Sequence, residues 1–443
     1  MTRRYPHVPA FPSAVFVALL SCAVRLSAQD TTFRGITING QYDPRGKPSI
    51  VVLPVTGAFG DSIRAILQRD FDYSDRFTVV PLSDSDAVAV RLAGSAAGLN
   101  YQFLARLGVA AVLQVSVVTT GFHVALHDVA RASVLNVAEF PTNAAGLTRD
   151  WRLRVHQVSD EAERWITGQA GIAASRIAYI RGGSIRIIDS DGADEITVPT
   201  EENGYRPTWN PNGSMLTYST FGSLSKVYVL DLTTGRSRVL VDGTRNVTVI
   251  SPVFSPNGQS VVYARAGERG TDLYSIPVNG GDVPTPLTVG HGTINSSPTF
   301  SPDGRRIVYE SDRNGHVELY IMDSDGSNQD LLTNYDFSEK NWRADPDWTP
   351  DGRLVAYSER INGRFQIKQI PARGGTPKLL TSDGENQQPS WAPDSRHVVF
   401  KSDRSGASQL WVLDSETGRL RQLTKSAGPK LPAWSGRLAA SPQ

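Results

Sequence analysis

Apolar and polar residues alternate with a period of two through most of the second half of the chain, and short Gly-bearing turns interrupt the alternation at regular intervals. The stretch from Pro298 to Thr333 displays the unit most plainly. Pro298 to Ser301 leads into a Pro302-Asp303-Gly304 turn, Arg306 to Ser311 alternates, and Asp312 to Gly315 turns. Val317 to Met322 alternates again, Asp323 to Gly326 turns, and Asp330 to Thr333 closes the unit. Successive strand side chains point to opposite faces, so the pattern predicts four short strands joined by tight turns.

The unit recurs roughly every 45 residues, a period that marks one supersecondary element used many times. Its copies are Pro207-Thr208-Trp209, Pro252-Val253-Phe254, Pro298-Thr299-Phe300, Pro346-Asp347-Trp348, Pro389-Ser390-Trp391 and a clipped Pro432-Ala433-Trp434. A four-stranded sheet of this size cannot bury both faces alone and must pack radially against its neighbours, so each copy is read as a β-propeller blade. The clipped sixth copy finds its missing strands ahead of the first motif, at Arg176 to Arg181, Ser184 to Ile188 and Glu195 to Val198. Six blades are expected, the last stitched from both ends of the repeat so that no strand edge is left open.

A different pattern precedes the repeat. Ser49 to Val55 is a buried-strand run, a helix opens near Asp61 with Ile63, Ile66, Leu67 and Phe71 on one side, and Phe77 to Val80 is a second strand. Residues 84–98, rich in Ala, Ser and Gly, are expected to include loop. A helix over Tyr101 to Leu107 leads to the apolar run Val109 to Val118, which pairs with Gly121 to Asp128 through a turn. A long helix from Thr148 to Ile166 carries Trp151, Val155, Val158, Ala162 and Trp165 at helical spacing. Its arginines cluster near its start and its acids near its end, opposite to the preference of the helix dipole, so packing must outweigh that penalty. The fold class expected is multi-domain: a signal stretch at 1–28, an extended arm at 29–47, an α/β domain at 48–167, a linker at 168–175 and a six-bladed β-propeller at 176–443.

The opening residues change the picture of where the chain works. Arg3-Arg4, an apolar run from Ala14 to Val24, and Leu26-Ser27-Ala28 form a secretory signal with cleavage after Ala28, too short to span a bilayer. Cys22, the only cysteine, sits inside that run, where Leu19 to Cys22 also faintly resembles a lipoprotein processing site. Cleavage removes Arg3, Arg4 and Arg25 and no acid, turning a formal charge of +1 into −2, which argues against a nucleic-acid or anionic-membrane binder. The exported chain then has no thiol and no disulfide.

Catalytic signatures are missing from the sequence. It holds no Gly-x-Ser-x-Gly elbow, His-Glu-x-x-His, phosphate loop or dinucleotide fingerprint. His123 and His127 lie four apart on an expected strand, about 13 Å, too far for one metal. Asp189 to Gly192 and Asp323 to Gly326 lack the further carboxylates of a calcium loop and are read as turns. What is left is a recognition surface of loops before each motif, a mixture of polar, charged and apolar residues. It comprises Tyr205, Arg206, Thr248, Ile250, Ser251, Asn295, Ser296, Ser297, Arg343, Asp345, Asn386, Gln387 and Lys430.

Three stretches together resemble the TolB family, the periplasmic propeller proteins of the Tol-Pal envelope system. They are Ser49 to Val55 with the following helix and Arg76-Phe77; Arg152 to His156 through Glu161, ending Trp165 to Gly168; and Arg176 to Ile180 followed by the six-fold repeat. The resemblance implies a non-enzymatic adaptor without cofactor or metal, a periplasmic monomer not inserted in the membrane. It implies that the loops before the motifs bind the peptidoglycan-associated lipoprotein Pal, and that an N-terminal arm carrying Phe33, Ile36, Ile38 and Tyr42 reaches the inner-membrane protein TolA. Outer-membrane integrity, envelope constriction in cell division and protein transport follow as the expected setting. Val247 to Ser251 departs from the family, which often has a His- or Asn-bearing loop there. The competing reading is an exported propeller of hydrolase or sugar-binding type, or a scaffold in another envelope complex.

Overall fold

A computed structural model describes residues 46–91, 98–143, 146–290, 292–334 and 342–439. The signal stretch and the arm residues Phe33, Ile36, Ile38 and Tyr42 lie outside the described residues.

The first part is an open sheet between two helical layers. Its elements are β1 (Ser49–Val52), α1 (Gly60–Tyr73), β2 (Thr78–Val79), α2 (Asp84–Ala89), α3 (Tyr101–Arg106), β3 (Ala111–Val118), β4 (Gly121–Asp128), β5 (Ser133–Pro141) and α4 (Arg149–Thr167). The strands run in the order β2-β1-β3-β4-β5, with β1 parallel to β2 and β3 and the remaining pairs antiparallel. Strand alternation divides the core. Ile50 and Val52 pack with α1 and α4 residues such as Ile63, Leu67 and Trp151, while Val51 and Leu53 pack with Val90, Leu99 and Leu104 on the other side. Helix α4 starts at Thr148, whose hydroxyl accepts the Trp151 N–H at 3.3 Å, and ends at Gly168, which takes φ 79° where a side chain would be strained. Sequence reading missed β5 and α2. The first is an outer strand with a half-exposed face, and the second is six residues held by a Ser83 capping box.

The second part is six four-stranded antiparallel sheets around an axis. Blade six combines β6 (Arg176–Arg181), β7 (Ser184–Asp189) and β8 (Ile196–Thr197) with the inner strand Lys430–Trp434, which pairs antiparallel with β6 through Ala433 opposite Ala178 and Trp434 opposite Ile177. The inner strands of blades one to five are Gly204–Trp209, Thr248–Phe254, Asn295–Phe300, Arg343–Trp348 and Asn386–Trp391. Each second strand buries one large aromatic between blades: Tyr218, Tyr263, Tyr309, Tyr357, Phe400 and, in blade six, Tyr179. Burying such a ring removes about 150–250 Å² from water, roughly 4–6 kcal/mol each before the entropy of ordering is subtracted. Phe254, Trp348, Trp391 and Trp434 of the repeated motif are buried as well, as inter-blade core.

The α/β domain sits on one face of the ring, against blades five and six. Arg419 of blade five meets Asp72 and Asp75, Arg396 donates to the Asp75 carbonyl at 3.2 Å, and Arg152 of α4 reaches Asp189 and Asp191 of blade six. These contacts lie at the Pro-Asp-Gly end of the blades. The opposite end, where the inner strands begin, is the open face.

Candidate functional site: the channel mouth and open face

Each inner strand carries the same irregularity. Directly before the motif proline the backbone turns left-handed: φ is 51° at Arg206, 53° at Ser251, 50° at Ser297, 53° at Asp345, 60° at Gln388 and 53° at Leu431. At each of these places the pairing with the second strand slips by a bulge. A non-glycine residue there costs about 1–2 kcal/mol and persists only where its surroundings over-determine it. Here the bulge breaks the two-face alternation and aims one side chain per blade at the axis, while the following proline fixes the return of the strand. These six residues and their neighbours line an axial cavity of ≈ 100 Å³, room for about three waters.

Arg206 fills much of the mouth. Its guanidinium donates to Ser251 Oγ at 3.4 Å and to Ser297 Oγ, and forms an ion pair with Asp345 on blade four, directly opposite blade one. The Asp345 backbone N–H donates to Glu310 at 2.7 Å, and Glu310 also accepts the Ser296 hydroxyl at 3.2 Å. Burial would lower the Arg206 pKa, but the Asp345 and Glu310 carboxylates raise it above the ordinary value. Burial and the neighbouring Asp345 push the Glu310 carboxyl up, and burial pushes Asp347, lower in the channel, up to about 7. The channel is therefore braced across its diameter by one cation. Its lining holds neither histidine nor cysteine.

The residues expected from sequence fall into two groups, and none is in a loop: all lie in the inner strands. That corrects the loop expectation, because the chain enters each strand well before the proline. Asn295, Arg343 and Asn386 are also buried, so they drop out of the free surface. Asn295 Nδ2 donates to Asp272 at 3.1 Å, Arg343 pairs with Glu318, and Asn386 Nδ2 donates to Gln366 at 2.8 Å. Each acceptor belongs to the previous blade and is also held by a threonine hydroxyl, Thr288, Thr333 or Thr381. These are polar staples between blades, legible in the recurring Leu-Thr pairs at Leu287, Leu332 and Leu380, which the search for motifs passed over.

Ser251 and Ser297 face the axis beside Arg206, and Ser296 is tied to Glu310. Tyr205, Thr248, Ile250 and Gln387 are partly exposed, and Lys430 is exposed. Gln387 accepts from Lys401 at 3.1 Å. Gln388 and Leu431, each one residue past an expected position, complete the axial ring; the Gln388 side-chain oxygen accepts the Leu431 N–H at 2.8 Å.

Three further residues of the open face were not expected. Phe221 is 55% exposed and meets Tyr205 edge-on at 5.2 Å, Trp342 is 49% exposed and meets Phe365 at 6.4 Å, and Ile294 is 52% exposed. They stand outside the repeated motif, where a reading organised by repeats does not look. The docked face has two Asp/His clusters with metal-ligand donor types, Asp70–His156–Asp191 and Asp75–His397–Asp414. Guanidinium groups of Arg69, Arg152, Arg396 and Arg419 already pair with Asp191, Asp414 and Asp75, and Asp70 is held by His156 and Ser159, so these side chains form a salt-bridge network.

The fold and the site thus define a six-bladed propeller whose channel is braced by a side chain and whose open face presents aromatics, with an α/β domain clamped to the other face. The family model described as the TolB beta propeller domain matches residues 163–438, and the chain belongs to that family. Among curated relatives, the Tol-Pal system protein TolB of Haemophilus influenzae is 29% identical over 236 residues, 49% of this chain and 54% of the relative. That of Mannheimia succiniciproducens is 29% identical over 237 residues, 50% of this chain and 54% of the relative. The match thus spans about half the length of these relatives. The crystal structure of TolB from Acinetobacter baumannii superposes with a TM-score of 0.71 at 23% identity, covering 88% of this chain and 96% of that one, a likeness of fold.

Proposed function

We propose that this chain is a non-enzymatic adaptor of the Tol-Pal system, exported to the periplasm by residues 1–28. Its open face takes up a Pal-like peptidoglycan-associated lipoprotein, and the arm at 29–47 engages a TolA-like inner-membrane protein. The observation that carries the reading is the exposed apolar rim of Phe221, Ile294 and Trp342 around a channel mouth braced by Arg206. An exposed apolar patch rimmed by polar groups suits protein recognition, and aromatics and arginine are the side chains that dominate such interfaces. The naming of curated relatives as Tol-Pal system proteins supports a partner within that system. Among the described residues no helix is long and apolar enough to cross a membrane.

The test is a calorimetric titration of the chain with the Pal homologue of the same organism, repeated with Phe221→Asp. Binding that the substitution weakens supports the reading. Absence of binding by the unaltered chain overturns it.

A further inference from the structure

Helix α4 begins with Arg149 and Arg152 and carries Asp160 and Glu163 toward its end, against its own dipole. Each of these charges has a partner off the helix. Arg149 Nε pairs with Asp194 at 2.9 Å, and Arg152 Nη2 with Asp191 at 2.9 Å. The Asp160 carboxylate accepts the Ala173 and Ala174 N–H groups at 2.7 and 3.0 Å, and Glu163 pairs with Arg76 at 2.9 Å. The basic start of the helix is thus charged to fit blade six, while its acidic end is held by the joining segment and by Arg76 of its own domain, at the expense of its isolated stability.

Between these charges lies His156, 1% exposed. Its Nδ1 is 2.9 Å from Asp70 of its own domain, and its Nε2 faces Asp189 and Asp191 of blade six at 3.8 and 4.0 Å. Blade five repeats the arrangement from the other side: His397 Nδ1 is 2.8 Å from Asp394 of its own blade, and Nε2 is 3.3 Å from Asp75 of the α/β domain. A neutral imidazole has one N–H and one lone pair, so it cannot donate to carboxylates on both sides. At His397 acceptors on both nitrogens require the doubly protonated ring, and at His156 the Asp189 and Asp191 carboxylates stand within ion-pair distance of Nε2, where they favour the same charge without a hydrogen bond.

We propose that His156 and His397 are two imidazolium bolts across the interface between the α/β domain and the propeller, and that removing both frees the α/β domain from blades five and six without unfolding either part. The proposal is independent of the partner reading above. Other charges face the bolts from every side. Around His156 stand Asp70 and Arg69 of α1, Arg152 of α4, and Arg176, Asp189 and Asp191 of blade six. Around His397 stand Asp75 and Arg76, Glu163 of α4, and Asp394, Arg396, Asp414, Arg419 and Arg421 of blade five.

Burial alone would lower the His156 pKa, but the Asp70 charge, the nearby Asp189 carboxylate and the hydrogen bond to Asp70 raise it to about 10. Burial opposes the charge on His397 too, and its hydrogen bonds to Asp394 and Asp75 raise its pKa. A histidine raised in the folded state contributes its stability fully below its unfolded pKa and loses it as pH rises through the folded value. His156 therefore keeps its charge through neutral pH, and the upward shift of His397 acts in the same direction.

Long-range proton–nitrogen NMR of the unaltered protein at pH 8 is expected to give imidazolium signatures for His156 and His397. Neutral rings at 156 and 397 overturn the proposal, and this measurement needs no variant to fold. Paired spin labels at V137C and R353C in a C22S chain then read the separation of the two parts. With H156Q and H397Q together, the undocked fraction is expected to rise about tenfold or more, the factor carried by each lost pKa unit of charge interaction. A distance distribution identical to that of the labelled parent also overturns it.

Discussion

Replacing Arg206 by Met keeps the stem of the side chain and removes the cation that crosses the channel. Asp345 and Glu310 then face one another with only serines and backbone N–H groups between the blades. Breaking a buried pair on one side costs about 3–5 kcal/mol. Arg206 and Asp345 keep 20% and 21% of their side-chain surface, and water can take the vacated place, so about 2–3 kcal/mol at pH 7.5 is the better figure. For a domain of this size that lowers Tm by roughly 4–5 °C. The pH dependence identifies the cause. The Glu310 pKa already lies above its unfolded value and rises further without Arg206. Its ionisation therefore penalises the folded variant above the unfolded pKa, and the penalty fades as pH falls toward it. Scanning calorimetry at pH 7.5 and 5.0 of R206M, D345N and the double variant should show a deficit for R206M that is smaller in acid, and a double variant less unstable than the two single losses combined. A shift for R206M below about 2 °C at both pH values would refute the brace.

Phe221→Asp and Trp342→Asp should each weaken binding of the Pal homologue about tenfold or more while leaving Tm within about 1 °C, read by calorimetric titration and thermal scans; both rings are half-exposed and hold little of the fold together. Deleting residues 29–42 should abolish binding to the TolA homologue in a pull-down and spare Pal binding; unchanged TolA capture counts against the arm. Thr381→Val should cost about 2 kcal/mol in urea unfolding, because the Ile367 N–H loses its acceptor at 2.9 Å and Gln366 loses a donor, both buried.

What the sequence made legible was whatever repeats. The motif period, the four strands per unit, and the aromatics at Trp348, Trp391 and Trp434 follow from local patterning, since strand alternation and turn chemistry act within a few residues. The split of blade six was readable because its second strand, Ile177 to Tyr179, repeats the apolar pattern of Val261 to Tyr263 and Ile307 to Tyr309. What escaped was decided at long range. Asn295, Arg343 and Asn386 look like surface polar residues until the preceding blade supplies Asp272, Glu318 and Gln366. The left-handed turn before each proline also escaped, because residues preceding proline favour extended backbone, and only the bulged register imposes the exception. Helix α4 is the sharpest case. Its reversed charges read as a penalty that packing must overcome, but their partners lie far along the chain, at Asp191 and Asp194 of blade six for the arginines and at Arg76 for Glu163.

The two faces of the ring divide the chemistry, and that division favours the open face for the proposed partner. On the docked face, carboxylates and guanidiniums of two domains neutralise one another in pairs such as Arg419 with Asp72 and Arg396 with Asp414, so a newcomer there would have to displace bonds already made. On the open face, Phe221, Ile294 and Trp342 leave apolar surface in water, and covering it is favourable at roughly 25 cal/mol per Å² with no such bond to break. The Arg206 brace adds rigidity beneath that surface. An interface whose platform is already fixed loses less entropy on binding, so affinity can come from a few aromatic anchors and not from a large area.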